Sequence, residues 1–483
     1  METFNVVVAL IGIVVIVSSL LSGAIERSGV PLVAVFLGLG LLLGPIGLGL
    51  VDIRFGSPEL HAVSTLALAM VLFSDAVTFE TSALRQRRPL LIRLIGPGTL
   101  IPAVLVGAAA YFLLGVPLAA AAILGAALAS TDPVLLRSVL RSRSVPEGTR
   151  MALRMETGMN DIVLLPIVVV AILFLRTPEA AGGHESLSLS RSLLGLFLLG
   201  PALGALVGWV GISLLSFIRD RWGVRRDYES MYALGLAFSA FAAAEAVGGS
   251  GFVAAFTAGL LVAAQDVELC DCFLEYGEAT AEMMLLLTFV ALGTTLIWTG
   301  LDVVEPRTLL FAGIALAART VVLYPMLKGC GVEAGDRRLI ALLGPRGLSS
   351  LLLALLPVFA GIPGAEHLFS ITCLVVLVSV VVHGTGIAFY FRRHRPAEDA
   401  KPLAIVEEEP AQASTPDRIT LGELAAMQER GDPVTIVDAR SDRTWRTDRR
   451  TAAGAVRLDP EQPVRDATRL RLAKHGTLVV YCA

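Results

Sequence analysis

Three stretches of polar and ionisable residues interrupt long apolar runs in this sequence. The first contains Thr131, Asp132 and Pro133. The second, residues 156–161, reads ETGMND, and the third, residues 344–347, reads GPRG. Because a charged group at membrane depth costs free energy, such residues are functional candidates by default. The three stretches are therefore the first places to look for a site that binds or moves an ion.

The second stretch places four polar side chains on one helical face. Glu156, Thr157, Asn160 and Asp161 have the spacing i, i+1, i+4 and i+5, which groups them on a helix. Two carboxylates, a hydroxyl and an amide supply the oxygen ligands that hard cations take. The alternative is a position at the water interface. The apolar run that follows Asp161 leaves this alternative more open for Glu156 than for Asp161.

Proline and glycine interrupt the first and third stretches. Pro133 lacks a backbone N–H and clashes with the preceding turn, so the helix should unwind near Asp132. An unwound segment there would aim carbonyl groups and a carboxylate into a helix bundle. An ordinary proline kink with Asp132 as a helix cap is the alternative. Two glycines and a proline surround Arg346 in a similar way, and two interrupted helices far apart in the chain are typical of inverted-repeat transporters.

Arg346 requires a buried anion, and Glu156 is the predicted partner in a structural ion pair. A buried pair of this kind fixes packing more than it adds stability. Asp75 and Arg319 are further intramembrane charges flanked by apolar residues, and both are accessory candidates. Snorkelling or simple pairing is the alternative for each of them.

The composition shows what kind of protein must position these residues. Of 483 residues, 55% are apolar and 17% are charged, whereas an average soluble domain is about a quarter charged. The net charge of −3 gives no basic surface for a nucleic-acid partner. The sequence therefore predicts an all-α polytopic membrane protein with inverted repeats, two interrupted helices and about thirteen transmembrane helices. The predicted spans are roughly 4–23, 30–50, 59–80, 94–114, 116–140, 151–175, 192–217, 229–247, 249–265, 281–300, 307–327, 338–361 and 366–391.

Arginines predict the orientation and the domain boundaries. Fifteen arginines lie in loops after odd-numbered spans and four in the other loops, which places the odd-numbered loops in the cytoplasm and the N-terminus outside. Residues 1–392 form the predicted transmembrane domain, 393–416 a linker, and 417–483 a small cytoplasmic α/β domain. An amino-acid composition rich in Ala, Leu, Gly and Arg fits a multi-pass protein of a bacterial inner (plasma) membrane.

The motifs together resemble those of the monovalent cation:proton antiporter family, and within it the sodium/proton exchangers of the NhaP type. The resemblance covers residues 1–392 and includes a further segment, 250–260. It implies thirteen helices, a dimerisation part, a moving core part and a homodimer.

The same resemblance implies roles for individual residues. Asp161 is the carboxylate that binds the cation and the proton, and Asp132 and Thr131 belong to a crossing of unwound chain beside it. Thr157 keeps a hydroxyl ligand, so that Na⁺ or K⁺ would be held at Asp161, Thr131 and Thr157. Asn160 before Asp161 marks the electroneutral branch. The remaining matches are Glu156 and Arg346 as the buried ion pair and Asp75 as the family's acidic position.

A buried carboxylate supports an exchange mechanism on physical grounds as well. Burial disfavours its charge, whereas a bound cation or a proton neutralises it. Cation and proton then compete for Asp161, and the neutralised site crosses the membrane at lower cost. The partners are monovalent cations, protons and the lipid bilayer. No ATP or redox cofactor is needed, the sequence has no phosphate-binding Gly-Lys-Ser/Thr loop, and the protein is expected not to be an enzyme.

The C-terminal region has a different pattern. Apolar runs at 434–438 and 477–481 predict buried strands, and the order of these segments, with Cys482 after the second strand, resembles a rhodanese-like domain. In such domains this cysteine opens an active-site loop. Because the sequence stops at Ala483, we expect a partial domain without sulfurtransferase activity. We also expect the gene to continue beyond this point, with a selenocysteine codon, a frameshift or a cut as the possible reasons.

Two other functions compete with cation/proton exchange. A membrane-anchored rhodanese-like sulfur or redox protein would use the helices as an anchor, but thirteen spans with buried charges exceed what an anchor needs. A cation symporter or channel of similar architecture is the other alternative.

Overall fold

A computed structural model gives the structure of part of the chain. It describes residues 12–18, 20, 32–77, 88–141, 145–176, 193–222, 226–265, 271–328, 330 and 332–393. In the C-terminal region it describes 424, 427, 430–431, 434–440, 445, 450–458, 466–467, 469–470 and 477–481. The chain divides into two compact units, Met1–Pro396 and Ala397–Ala483.

The described part of the first unit consists of helices joined by turns and short non-helical segments. Its α-helices are α1 (Leu32–Leu43), α2 (Pro58–Val77), α3 (Arg88–Ile95), α4 (Pro97–Ala109), α5 (Leu118–Ala129), α6 (Pro133–Arg141), α7 (Glu147–Arg176), α8 (Gly200–Trp222), α9 (Arg226–Ala246), α10 (Gly251–Ala264), α11 (Asp271–Thr294), α12 (Thr299–Asp302), α13 (Pro306–Met326), α14 (Ala334–Leu342), α15 (Leu348–Phe359) and α16 (Ala365–Arg393). Single π-helical turns, Ala110–Leu114 and Gly195–Leu199, extend α4 and precede α8.

Many of these helices can span a bilayer. Seven described helices are long and apolar enough, and a bent pair, Ala279–Thr294 with Leu296–Asp302, makes an eighth. Shorter apolar helices occupy four other predicted spans, at Leu32–Leu43, Met231–Ala246, Gly251–Ala264 and Leu348–Phe359. The membrane-helix class is thus confirmed, whereas the count of thirteen stays a prediction. Most of the first predicted span, 4–23, lies outside the described residues.

Both predicted interruptions are present. Helix α5 ends at Ala129 and α6 begins at Pro133, which leaves residues 130–132 non-helical. Helix α14 ends at Leu342 and α15 begins at Leu348, which leaves 343–347 non-helical. In each segment the polar backbone groups that a helix would satisfy are free to bond elsewhere.

Small residues allow the helices to approach closely. A Cβ added to Gly125 of α5 would lie 3.0 Å from the Cα of Gly107 on α4. Close backbone contact of this kind is how membrane helices associate, because lipid gives them no hydrophobic driving force. Between α9 and α10 the chain turns at Gly248, whose φ of +78° is readily adopted by glycine.

The second unit contains a small parallel sheet. Its strands are β1 (Val434–Asp438), β2 (Val456–Arg457) and β3 (Thr477–Tyr481), in the spatial order β2-β1-β3. Both pairings with the central strand are parallel. Strands are present at both predicted segments, but β3 is largely exposed rather than buried, with Leu478 44% and Val480 57% exposed. Cys482 lies outside the described residues.

Candidate functional site

The two interrupted segments cross and bond to each other. The backbone N–H of Asp132 donates to the carbonyl oxygen of Pro345 at 3.0 Å. The Asp132 carboxylate accepts from the N–H of Val134 at 2.7 Å and from the N–H of Leu348 at 2.5 Å. It therefore caps the N-termini of α6 and α15, where helix dipoles favour a negative charge. Asp132 therefore caps two helices, and it does so at a break between helices rather than at an ordinary proline kink.

Arg346 has the complementary role at the same crossing. Its Nη1 donates to the carbonyl oxygens of Ala129 at 2.9 Å and Ser130 at 3.0 Å, where α5 ends. Cations stabilise helix C-termini for the same electrostatic reason that anions stabilise N-termini. The Nε and Nη2 atoms of Arg346 have no hydrogen-bond partner among the described residues.

The glycines beside Arg346 make the crossing possible. A Cβ on Gly347 would overlap the Asp132 carboxylate, and a Cβ on Gly344 would overlap the guanidinium group of Arg319. The motif at 344–347 therefore needs glycine at both ends, because charged side chains pack directly against this backbone.

The polar face of α7 meets the first interrupted segment. Ser130 Oγ donates to Asp161 Oδ1 at 2.7 Å, and Asn160 Nδ2 donates to Thr131 Oγ1 at 2.9 Å. Asp161 is 3% exposed and Asn160 is 1% exposed. Asn160 Oδ1 has no hydrogen-bond partner among the described residues. The helix begins at Glu147, so these residues lie well inside it rather than in a loop.

Two further predicted residues lie close to this face. Thr157 is buried one turn before Asp161, and its hydroxyl donates to the carbonyl of Leu153 at 3.0 Å, which leaves the oxygen able to accept or to ligate. Asp75 on α2 packs near Gly158, where a Cβ would lie 3.9 Å from the Cβ of Asp75.

The prediction that Arg346 is the ion-pair partner of Glu156 is wrong. Arg319 of α13 holds Glu156, with Nε to Oε1 at 2.6 Å and Nη2 to Oε2 at 2.5 Å. The Nη1 of Arg319 also donates to the carbonyl of Ala341 at 2.9 Å, near the end of α14. Arg346 instead bonds to the carbonyls that end α5, because the crossing places its Nη1 there.

Sequence reasoning missed the role of Ser130. This serine is the first residue after the end of α5, and Ser130 is the hydrogen-bond donor that the described residues give to the Asp161 carboxylate. Its position directly before Thr131 and Asp132 is a signal that could have found it. A buried carboxylate that accepts a hydrogen bond from a hydroxyl group, with other side-chain oxygens available as ligands, can bind a small cation or a proton.

Comparisons with known proteins relate the chain to cation/proton antiporters. Residues 13–393 match the family model described as sodium/hydrogen exchanger, transmembrane. The K(+)/H(+) antiporter NhaP of Alkalimonas amylolytica is 27% identical over 394 residues, which cover 80% of this chain and 67% of that protein. The Na(+)/H(+) antiporter NhaH of Halobacillus dabanensis is 27% identical over 403 residues, which cover 79% of this chain and 96% of that protein.

A solved structure shares the fold. The sodium proton antiporter MjNhaP1 of Methanocaldococcus jannaschii, at pH 8, matches with a TM-score of 0.63 and 21% sequence identity. The match covers 80% of this chain and all of the other. At this identity the likeness concerns the fold alone. Because the family model covers most of the sequence and the interrupted, charged crossing lies within it, the chain belongs to the sodium/hydrogen exchanger family.

Proposed function

We propose that the protein is a secondary transporter that exchanges one monovalent cation, Na⁺ or K⁺, for one H⁺ across a membrane. The observation that carries the proposal is the environment of Asp161. This buried carboxylate has one hydroxyl donor among the described residues, and the side-chain oxygen of the adjacent Asn160 has no hydrogen-bond partner among them. Family membership and the antiporters named among its relatives support the same function.

Asp161 is the proposed site of both ions. Its carboxylate, the hydroxyls of Thr131 and Thr157 and the amide of Asn160 offer oxygen ligands of the type that hard cations take. A cation and a proton each neutralise the buried carboxylate, and an empty, charged site is costly inside the membrane. Binding of one ion therefore requires release of the other, which makes the exchange obligatory.

The stoichiometry follows from the contrast between two carboxylates. Asp132 accepts hydrogen bonds from two backbone N–H groups at the N-termini of two helices, so its charge is structural. Asn160, next to Asp161, is neutral. One titrating carboxylate exchanges one cation for one proton, and transport is therefore electroneutral.

A buried ion pair outside the proposed cation site stabilises the packing of two helices. Glu156 and Arg319 form a buried bidentate pair that joins α7 to α13. Removing one partner of such a pair would strand the other charge. Asp75 is an accessory acidic residue in this proposal.

The test uses purified protein in proteoliposomes with an imposed pH gradient. Addition of Na⁺, K⁺ or Li⁺ in turn should dissipate the gradient, and Asp161→Asn should abolish this response. The exposed Asp302 provides a matched control, because Asp302→Asn makes the same chemical change at a residue outside the proposed site. Cation-driven proton movement that persists in purified Asp161→Asn would refute the assignment. A current that follows membrane potential alone would refute electroneutrality.

The setting proposed for this exchanger is a bacterial inner membrane. The arginine distribution supports thirteen spans with the N-terminus outside and the C-terminal unit in the cytoplasm. The family resemblance supports a homodimer with a moving core part. Cross-linking in membranes and protease accessibility of the C-terminal unit test these points.

The C-terminal unit is proposed to be a rhodanese-like domain. The parallel order β2-β1-β3 supports this proposal, as does the position of Asp438 at the end of the central strand. A sulfurtransferase assay of the full chain with thiosulfate, before and after Cys482→Ser, tests it.

A further inference from the structure

The peptide group between Pro345 and Arg346 is fixed at both ends. Its carbonyl oxygen accepts from the N–H of Asp132 at 3.0 Å, and its N–H donates to Ser379 Oγ at 2.7 Å. A peptide group is planar, so two bonds to different elements determine its rotation. The Cα of Arg346 follows directly, and the direction of the Arg346 side chain therefore depends on Ser379.

Ser379 is held in place by a neighbour on the same helix. It is fully buried on α16, and its Oγ lies 3.1 Å from Nδ1 of His383, one turn later. Because the N–H of Arg346 donates to this oxygen, the hydroxyl proton of Ser379 is free to be donated. The Nδ1 of His383 accepts it in the tautomer that carries the ring proton on Nε2.

A chain of hydrogen bonds leads from Ser379 to the proposed cation site. Ser379 accepts from the backbone of Arg346, whose guanidinium donates to the Ser130 carbonyl at 3.0 Å. The Ser130 hydroxyl then donates to Asp161 at 2.7 Å. Four residues on four different parts of the bundle are thus connected by hydrogen bonds of ordinary length.

We propose that Ser379, supported by His383, is a positioning residue for exchange, which holds the Arg346 peptide so that the crossing keeps its shape while the ion is transferred. This inference rests on the proposed function. Ser379 touches none of the proposed cation ligands, so its loss should lower the maximum rate and leave the apparent KM for the cation nearly unchanged. The role is distinct from that of Asp161, whose loss removes the site itself.

The experiment compares three serine variants in proteoliposomes. Ser379→Ala removes the acceptor of the Arg346 N–H, and Ser379→Thr restores a hydroxyl. Ser370→Ala is the matched control, because Ser370 is also a buried serine of α16 but bonds to Thr299 and to the carbonyl of Glu366. Initial rates are measured against cation concentration, and the melting temperature of each variant is recorded.

We expect Ser379→Ala to lower the maximum rate about tenfold, as a modest rise in the barrier would. Ser379→Thr and Ser370→Ala should remain within about twofold of the wild-type rate, and KM should change less than about twofold in all three. A wild-type rate for Ser379→Ala overturns the inference, as does an equal loss in Ser370→Ala or a failure of Ser379→Thr to restore the rate.

A second pair of variants tests the proposal if Ser379→Ala does not fold. His383→Ala keeps the acceptor of the Arg346 N–H and removes only its support, and His383→Asn keeps a polar atom near the position of Nδ1. We expect about a threefold loss of rate in the first and a smaller loss in the second. Equal rates in His383→Ala and wild type overturn the inference while wild-type exchange stands. A wild type that exchanges no cation for protons overturns the proposed function and this inference with it.

Discussion

Two neighbouring regions each bury an aspartate, and they use it in opposite ways. At the crossing, the Asp132 carboxylate accepts from two backbone N–H groups, those of Val134 and Leu348. On the face of α7, Asp161 receives the Ser130 hydroxyl and has neutral oxygens beside it. The donors of Asp132 are backbone groups that cannot leave, whereas the surroundings of Asp161 can accommodate a cation. If Asp161 binds the transported ion as proposed, the type of hydrogen-bond donor distinguishes it from Asp132, whereas burial does not.

The largest expected effect separates these two aspartates by activity. Asp161→Asn should reduce exchange by at least about a hundredfold, because an amide neither titrates nor balances a cation, while its melting temperature stays close to wild type. Exchange rates and melting curves in detergent measure both quantities. An Asp161→Asn protein that unfolds instead would place Asp161 with the structural carboxylate Asp132.

The buried ion pair should dominate the stability of this region. Arg319→Met strands Glu156 and should lower the free energy of unfolding by about 3–5 kcal/mol. Adding Glu156→Gln should recover part of the loss, because the remaining group is then neutral. A cycle with Arg346→Met in place of Arg319→Met should show a smaller coupling energy. A larger coupling for Arg346 would restore the pairing predicted from the sequence.

Asp132→Asn should have a smaller effect on stability and leave measurable exchange. An asparagine oxygen can still accept from one N–H, but the second helix N-terminus loses a charged acceptor worth about 2 kcal/mol. Thermal melting and exchange rates measure the outcome, with Asp302→Asn as the surface control. Complete loss of exchange in a protein of wild-type stability would assign Asp132 a direct part in transport.

Part of this site could be read from the sequence because its signals are local. Pro133 and the glycines at 344 and 347 constrain their own backbone, so both helix breaks were predictable, as was the shared face of Asn160 and Asp161. The partner of Glu156 was not predictable, because Arg319 and Arg346 are both apolar-flanked cations and the choice depends on helix packing. Ser130 and Ser379 escaped notice since buried serines are common in membrane helices, where they bond to their own backbone.

A third buried aspartate, Asp438, lies in the C-terminal unit, and its predicted effect on stability is the smallest. Arg440 bonds to Asp438 through Nη2 at 2.7 Å and Nε at 3.0 Å, and this guanidinium group lowers the pKa of Asp438 to about 2. A lowered pKa stabilises the folded state above the unfolded pKa of about 4 and loses this effect as the pH falls towards 2. The contribution should be at most about 2 kcal/mol at pH 6 and about 1 kcal/mol at pH 3.

Hydrogen exchange measures this effect within the intact protein. Peptides that cover β1 should lose protection in Asp438→Asn at pH 6, and the difference from wild type should narrow at pH 3 after correction for intrinsic rates. A difference that grows on acidification would contradict the assigned direction of the shift.

The length of α7 has a mechanical consequence. This helix has 30 residues and is therefore about 45 Å long, with Glu156 and Asp161 separated by about 7.5 Å along its axis. The ion pair and the proposed cation site therefore lie on the same helix, and Arg319 joins that helix to α13. A movement of α7 alone would break the buried pair of Glu156 and Arg319. In the proposed exchanger, the cation is therefore expected to move together with a rigid group of helices rather than from one side chain to the next.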